Sequence, residues 1–216
     1  MNAETLVGLF GGTFNPVHNG HLRLARAAAD SLGLQKLIFI PSAIPPHKDL
    51  AGDTAPKHRL RMVELAIQGD PLFEVSSVEV SRGGPSYTLT TLLQMHREMP
   101  GARFVFLIGA DAWLEIGAWH RAQDVLPLAD WALMRRPGFD PGRMTESLGE
   151  LSGEFEEVAG TLVHKDSGAR IFDIALPLID ISSSAIRQKI MSGESIQGTT
   201  PQAVAQYIKR ENLYCG

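Results

Sequence analysis

Two histidines, His18 and His21, stand three residues apart at the end of the run Gly11-Gly12-Thr13-Phe14-Asn15-Pro16-Val17-His18-Asn19-Gly20-His21. In the first turn of a helix that spacing puts both imidazoles on one face. A helix start also offers backbone N–H groups and the positive end of the helix dipole, a seat for phosphate. Two imidazoles placed there can donate hydrogen bonds to phosphate oxygens. A second group lies far along the chain, in Ile181-Ser182-Ser183-Ser184-Ala185-Ile186-Arg187. Ser183 and Arg187 are four residues apart, hence on one helical face. A guanidinium there adds a fork of donors suited to phosphate oxygens. Taken alone, the segment also reads as an ordinary serine cap with a solvated arginine.

These residues need elements to position them. Leu6-Val7-Gly8-Leu9-Phe10 reads as a buried strand. Gly11 and Gly12 allow a sharp bend and close approach of a ligand, and Pro16 stiffens the turn. Asn19 is a competent N-cap, and Leu22, Ala25, Ala29 and Leu32 follow at helical spacing. Lys36–Ile40 is a second strand, so the start of the chain is a βαβ unit of a parallel sheet. A Pro-rich loop from Pro41 to Pro56 follows, of a length that often marks function. Next comes a helix over Arg59–Gln68 with Leu60, Val63 and Ile67 on one stripe, then one or two short strands in Phe73–Val80. Ser86 reads as the N-cap of a helix carrying Leu89, Leu92, Leu93 and His96.

Phe104–Ile108 is the most hydrophobic strand and ends in Gly109-Ala110-Asp111. Like Gly11–His18, this triplet sits at the carboxyl end of a strand, where ligands gather in open parallel sheets. Trp131–Met134 is a further strand, ending in Arg135-Arg136-Pro137-Gly138. Asp140–Gly160 reads as a helix plus loops, and Ile171–Leu178 contains a last strand. The serines at 182–184 cap a short helix with Ile186 and Ile190, and Pro201 starts a terminal helix through about Arg210.

Composition narrows the classes. Of 216 residues, 44% are hydrophobic and 20% charged, as in globular proteins. Lys plus Arg number 20 against 24 for Asp plus Glu, a net charge of −4, which argues against a nonspecific nucleic-acid binder. Cys215 is the single cysteine, so no internal disulfide forms and a reducing cytoplasm fits. The N-terminal residues read as neither a signal peptide nor a membrane span. Neither Gly-x-Gly-x-x-Gly nor a Gly-Lys-Ser/Thr loop occurs, which disfavours a Rossmann dehydrogenase and a Walker-type NTPase.

Gly11–His21 resembles the signature of the HxGH nucleotidyltransferases, which join a nucleotide to a phosphate with loss of pyrophosphate. The commonest bacterial version has Asp where Asn15 stands. Ile181–Arg187 resembles the ISSTxIR motif paired with HxGH in pyridine-nucleotide adenylyltransferases, with Ser184 for the usual Thr. Ser86-Tyr87-Thr88 with Thr91-Leu92 resembles the SYTxxTL segment of bacterial nicotinate mononucleotide adenylyltransferases. Gly109-Ala110-Asp111 resembles their GxD element and Arg135–Gly138 their RRPG segment. Trp119 stands where that family stacks an aromatic on the pyridine ring, and His120 where a second aromatic is common. Pro46-His47-Lys48 resembles a PPHK-type segment near the mononucleotide phosphate.

The resemblance implies a single domain over residues 1–216. Its class would be α/β, with a Rossmann-like doubly wound, mainly parallel sheet and helices on both faces. It implies transfer of AMP from ATP to nicotinate mononucleotide, giving deamido-NAD and pyrophosphate. His18, His21 and Arg187 would be catalytic. ATP would be held by Gly11, Gly12, Thr13 and Phe14, by Gly109 and Asp111, and by Ile181, Ser182 and Ser183, together with the three catalytic residues. The mononucleotide would meet Asn15 and Lys48, Ser86, Tyr87 and Thr88, and Trp119 and Arg136. No carboxylate cluster for magnesium is visible, so Mg2+ is expected to be held mainly by ATP phosphates and water. No nucleic acid or membrane partner is expected, and monomer or homodimer remain open. Alternatives are nicotinamide mononucleotide as acceptor, a phosphopantetheine-type transferase, and a nucleotide-sensing module without catalysis.

Overall fold

A computed structural model describes residues 5–46, 54–135, 140, 142–175 and 180–215. Its strands form an eight-stranded sheet in the order β3-β2-β1-β4-β5-β8-β7-β6. The strands are β1 (Leu6–Gly12), β2 (Lys36–Pro41), β3 (Phe73–Val75), β4 (Arg103–Gly109), β5 (Asp130–Arg135), β6 (Phe155–Val158), β7 (Thr161–His164) and β8 (Arg170–Ala175). Helices alternate with them: α1 (Asn19–Leu32), α2 (Pro56–Ile67), α3 (Val78–Arg82), α4 (Thr88–Glu98), α5 (Ala110–Trp113), α6 (Ala122–Val125), α7 (Gly142–Glu146), α8 (Ser183–Met191) and α9 (Gln202–Arg210). This is the Rossmann-like α/β class that the resemblance implies, built on the parallel sheet that the βαβ pattern predicts. Among the described residues no helix is long and apolar enough to cross a membrane.

The chain divides into two compact units. One comprises Met1–Phe10, Ala27–Leu37 and Tyr87–Leu178; the other comprises Gly11–Arg26, Ile38–Ser86 and Ile179–Gly216. In the first unit, β1 pairs with β4, β4 with β5 and β5 with β8, all parallel. Their near-continuous apolar runs are buried, as parallel strands require. A Cβ at Gly8 would come within 2.6 Å of Leu34 Cδ1, so the Leu34 side chain packs into the space that glycine leaves. Trp113 and Trp131 fill this core, and their indole N–H groups donate to Met144 and Leu126 carbonyls. Asp130 is buried where β5 begins. It accepts from Arg103 Nε at 2.8 Å and Nη2 at 3.0 Å, and from the Arg170 backbone N–H at 2.8 Å.

In the second unit the core lies around Phe39, whose ring stands edge-on to Phe73 at 5.3 Å. Arg59, Met62, Val63 and Ile67 are the buried face of α2, while Leu60 is only half-buried. The expected stripe is thus rotated by one residue at its start.

Of the one or two short strands expected in Phe73–Val80, one forms as β3, and Val78–Val80 is helical. Two further expectations are corrected. Ser86 does not cap the helix after it, since Tyr87 holds that position and makes no side-chain cap. Asp140–Gly160 contains β6, which pairs antiparallel with β7 across Ala159 (φ 50°) and Gly160 (φ 79°). Two consecutive positive φ values suit the tight turn of a hairpin.

Asp130→Ala should leave the partly exposed Arg103 guanidinium and the Arg170 N–H without their buried acceptor. We expect it to lower unfolding stability by roughly 2–4 kcal/mol. Urea melts check this, and a loss below about 0.5 kcal/mol, the usual range for a surface change, would contradict it.

Candidate active site

The turn after β1 belongs to the second unit, with every residue that supports it. Phe14 has φ 50°, a costly backbone for a bulky residue. Its ring fills the space that a side chain on Gly12 would need: a Cβ there would lie 2.9 Å from Phe14 Cζ. Gly12 therefore makes room for Phe14, where the sequence suggested room for a ligand. The Phe14 ring also meets Phe39 at 5.7 Å and stands edge-on to His21 at 5.1 Å. The Asn15–Pro16 peptide is cis.

Between β1 and α1 the backbone has no ladder of its own, so its carbonyls need other donors. Gly12 O accepts from the Ser42 N–H at 2.9 Å. Thr13 O accepts from Arg59 Nη1 at 2.8 Å, and Asn15 O from Arg187 Nη1 at 2.8 Å. Pro16 O accepts from Ser183 Oγ at 2.9 Å, and Val17 O from Thr200 Oγ1 at 3.1 Å. Asn15 is buried, and its Oδ1 accepts from the Tyr214 hydroxyl at 2.6 Å. Ser183 and Arg187, expected on phosphate, here grip the turn that carries the histidines.

His18 precedes α1 and occupies the cap position expected of Asn19. His18 Nδ1 accepts from the His21 N–H at 3.3 Å, and His21 Nδ1 accepts from the His18 N–H at 3.3 Å. This is the reciprocal logic of a capping box, made here from two imidazoles. Asn19 is the first helical residue; its side-chain amide donates to Gly198 O at 2.8 Å and its N–H to Thr199 O at 2.9 Å. The His21 N–H also donates to His18 O at 2.9 Å. Two of the first three helix N–H groups are thus taken, so the helix start presents fewer backbone donors than the sequence suggested.

The two rings stack with centroids 3.6 Å apart and planes at 26°. A neutral imidazole whose Nδ1 accepts carries its proton on Nε2. With Nδ1 of each ring accepting a backbone N–H, each neutral ring carries its proton on Nε2. His18 is only 6% exposed, and burial pushes its pKa down to about 4. It stays neutral at pH 7 and donates without the repulsion that a cation pair would suffer.

Ser182 caps α8 as expected, its Oγ accepting from the Ala185 N–H at 3.2 Å. Ile181 is half-buried just before it. Ser86 Oγ accepts from the Ala43 N–H at 2.8 Å, which ties down the segment after β2.

The remaining expected residues lie in the first unit. Gly109 ends β4 and Asp111 is exposed in the first turn of α5. Thr88 opens α4 and is half-buried. The Tyr87 ring meets His120 at 4.5 Å with the planes tilted by 34°. Trp119 is half-buried and stands edge-on to Trp131 at 6.2 Å, whereas Trp113 is core. His47, Lys48 and Arg136 lie outside the described residues.

Sequence reasoning missed Arg59, Thr200 and Tyr214. A charged residue in phase with Met62, Val63 and Ile67 was the available sign for Arg59. Thr200 and Tyr214 carry no sign in sequence.

The family model described as cytidylyltransferase-like matches residues 9–189. A probable nicotinate-nucleotide adenylyltransferase of Trichlorobacter lovleyi is 41% identical over 209 residues, covering 96% of this chain and 98% of its own. The corresponding protein of Geotalea uraniireducens is 41% identical over 211 residues, covering 96% and 97%. Among solved structures, Plasmodium falciparum nicotinic acid mononucleotide adenylyltransferase complexed with NaAD shares the fold, with a TM-score of 0.74 at 16% identity and 97% coverage of both chains. The chain belongs to the cytidylyltransferase-like family and, within it, to the nicotinate-nucleotide adenylyltransferases.

The burial of His18 has a measurable effect on stability. Unfolded, its imidazole takes up a proton near pH 6.5; folded, it does so only near pH 4. Between those values the unfolded state binds more protons, so stability falls as pH falls from about 6.5 to 4. The full loss is roughly 3 kcal/mol, from about 1.4 kcal/mol per pKa unit. His18→Asn should flatten this part of the pH–stability curve in urea melts. An unchanged slope would show that the folded imidazole titrates normally.

Proposed function

We propose that the chain transfers AMP from ATP to nicotinate mononucleotide, forming deamido-NAD and pyrophosphate. The observation that carries this reading is the stacked, Nε2–H-donating His18–His21 pair at the start of α1, in a chain 41% identical to named relatives. An oxygen of the mononucleotide phosphate attacks the α-phosphorus of ATP. The new P–O bond forms as the bond to the bridging oxygen breaks, and pyrophosphate leaves with the electron pair.

The attacking phosphate is already an anion, so the protein need not supply a nucleophile. Its task is alignment and stabilisation of developing charge. His18 and His21 donate to phosphate oxygens, and Gly11–Phe14 with Ile181–Ser183 border the triphosphate. Arg187 fixes the turn through Asn15 O, and its remaining guanidinium donors serve phosphate. Gly109 and Asp111 contact the nucleoside part of ATP. Trp119 takes the flat pyridine ring; Ser86, Tyr87 and Thr88, with Asn15, Lys48 and Arg136, complete the mononucleotide site.

ATP enters as its magnesium complex. Among the described residues no group of three or more His, Cys, Asp or Glu is placed to hold a metal. Protonated Nε2 atoms suit phosphate oxygens better than a cation. Magnesium is taken to be held mainly by the ATP phosphates and water. A lone cysteine fits work in the cytoplasm.

Incubation with Mg–ATP and each mononucleotide in turn tests the reading. Deamido-NAD and pyrophosphate are expected from the nicotinate form, with the nicotinamide form a poorer acceptor. His18→Ala should lower kcat about 100-fold or more, as loss of one transition-state donor does. Absence of dinucleotide, or a His18→Ala variant with near-normal turnover, would contradict it.

A further inference from the structure

We propose that Arg59 is a positioning residue for the transfer reaction, holding the histidine-bearing turn in register through the Thr13 carbonyl. Its side chain is fully buried, at 0% exposure, on α2. Its guanidinium donates to three carbonyls on three separate segments. Nη1 reaches Thr13 O at 2.8 Å, Nη2 reaches Ala43 O at 2.8 Å, and Nε reaches Thr54 O at 3.1 Å. One rigid group thus joins the turn after β1, the segment after β2 and the entry to α2. Ala43 is held at both ends, its N–H by Ser86 Oγ and its carbonyl by Arg59.

The chemistry favours an alignment role. Taking a cation out of water is costly, and an apolar side chain of similar volume often serves stability as well or better. What an apolar side chain cannot do is fix three carbonyls at set angles. The planar fork of arginine does so, whereas the ammonium of lysine is a single point of donors on a flexible stem. Thr13 is followed by the strained Phe14, whose ring meets His21. A shift at Thr13 is therefore passed along a short, stiff path to the imidazoles. Misplacement of catalytic groups by about 1 Å can cost about 100-fold in rate.

The inference rests on the proposed transfer reaction, and its test separates the two. Arg59→Lys and Arg59→Gln are prepared and checked by circular dichroism and thermal melts. Single-turnover rate constants are then measured well below each melting temperature, with enzyme in excess and saturating Mg–ATP over limiting nicotinate mononucleotide. Under these conditions the exponential rate constant reports folded enzyme alone, so a merely structural role would leave it unchanged. A drop of tenfold or more in both variants, with Lys no better than about threefold above Gln, is expected. Rate constants within twofold of the unchanged chain would overturn the positioning role and leave the transfer reaction standing. Loss of fold in both variants would also overturn it, by showing that Arg59 serves the fold as a whole. An unchanged chain that makes no dinucleotide overturns both.

Discussion

The turn between β1 and α1 exposes backbone carbonyls that no regular secondary structure can satisfy, and the second unit is built to satisfy them. Arg59, Arg187, Ser183 and Thr200 reach the carbonyls of Thr13, Asn15, Pro16 and Val17. These donors come from α2, from α8 and from the segment entering α9, separated by much of the chain. Each bond contributes only about 1 kcal/mol, or somewhat more for the charged donors. Their joint effect is geometric: they leave the strained Phe14 backbone one arrangement.

That arrangement sets the electrostatics. Each imidazole spends its Nδ1 on the other's backbone N–H, so the tautomer is fixed before any substrate arrives. Burial then keeps His18 neutral, with its pKa near 4. Two cationic rings stacked at 3.6 Å would repel each other; two neutral donors do not. A neutral N–H aimed at an anion still makes a charge-assisted hydrogen bond. Preorganised donors of this kind need no rearrangement as charge builds up on a phosphate.

Much of this was legible in the sequence. The strands β1, β2, β4 and β5 announced themselves as apolar runs, because parallel strands are buried on both faces. The Gly11–His21 and Ile181–Arg187 segments stood out by residue type and spacing. The β6–β7 hairpin did not, because its strands are only four residues long, β6 is mostly exposed, and its turn uses Ala159 before Gly160 in place of the usual Asn-Gly. Val78–Val80 left a second strand open because β-branched residues favour strands, yet Ser77 and Gly83 bound a five-residue helix there. The clamp itself was hidden for a deeper reason. Its acceptors are backbone carbonyls, which every residue has, so nothing in the sequence says which carbonyl a distant arginine or threonine will meet.

The fixed tautomer of the histidine pair is the point most directly open to measurement. Nitrogen-15 NMR of the ring nitrogens at pH 7 distinguishes a protonated Nε2 from a protonated Nδ1 and from an imidazolium. His18 should show an Nε2–H, Nδ1-acceptor pattern in the free protein, and that pattern should persist when Mg–ATP is added. An Nδ1–H tautomer or an imidazolium at His18 at neutral pH would contradict the reciprocal cap, and with it the presentation of paired neutral donors to phosphate.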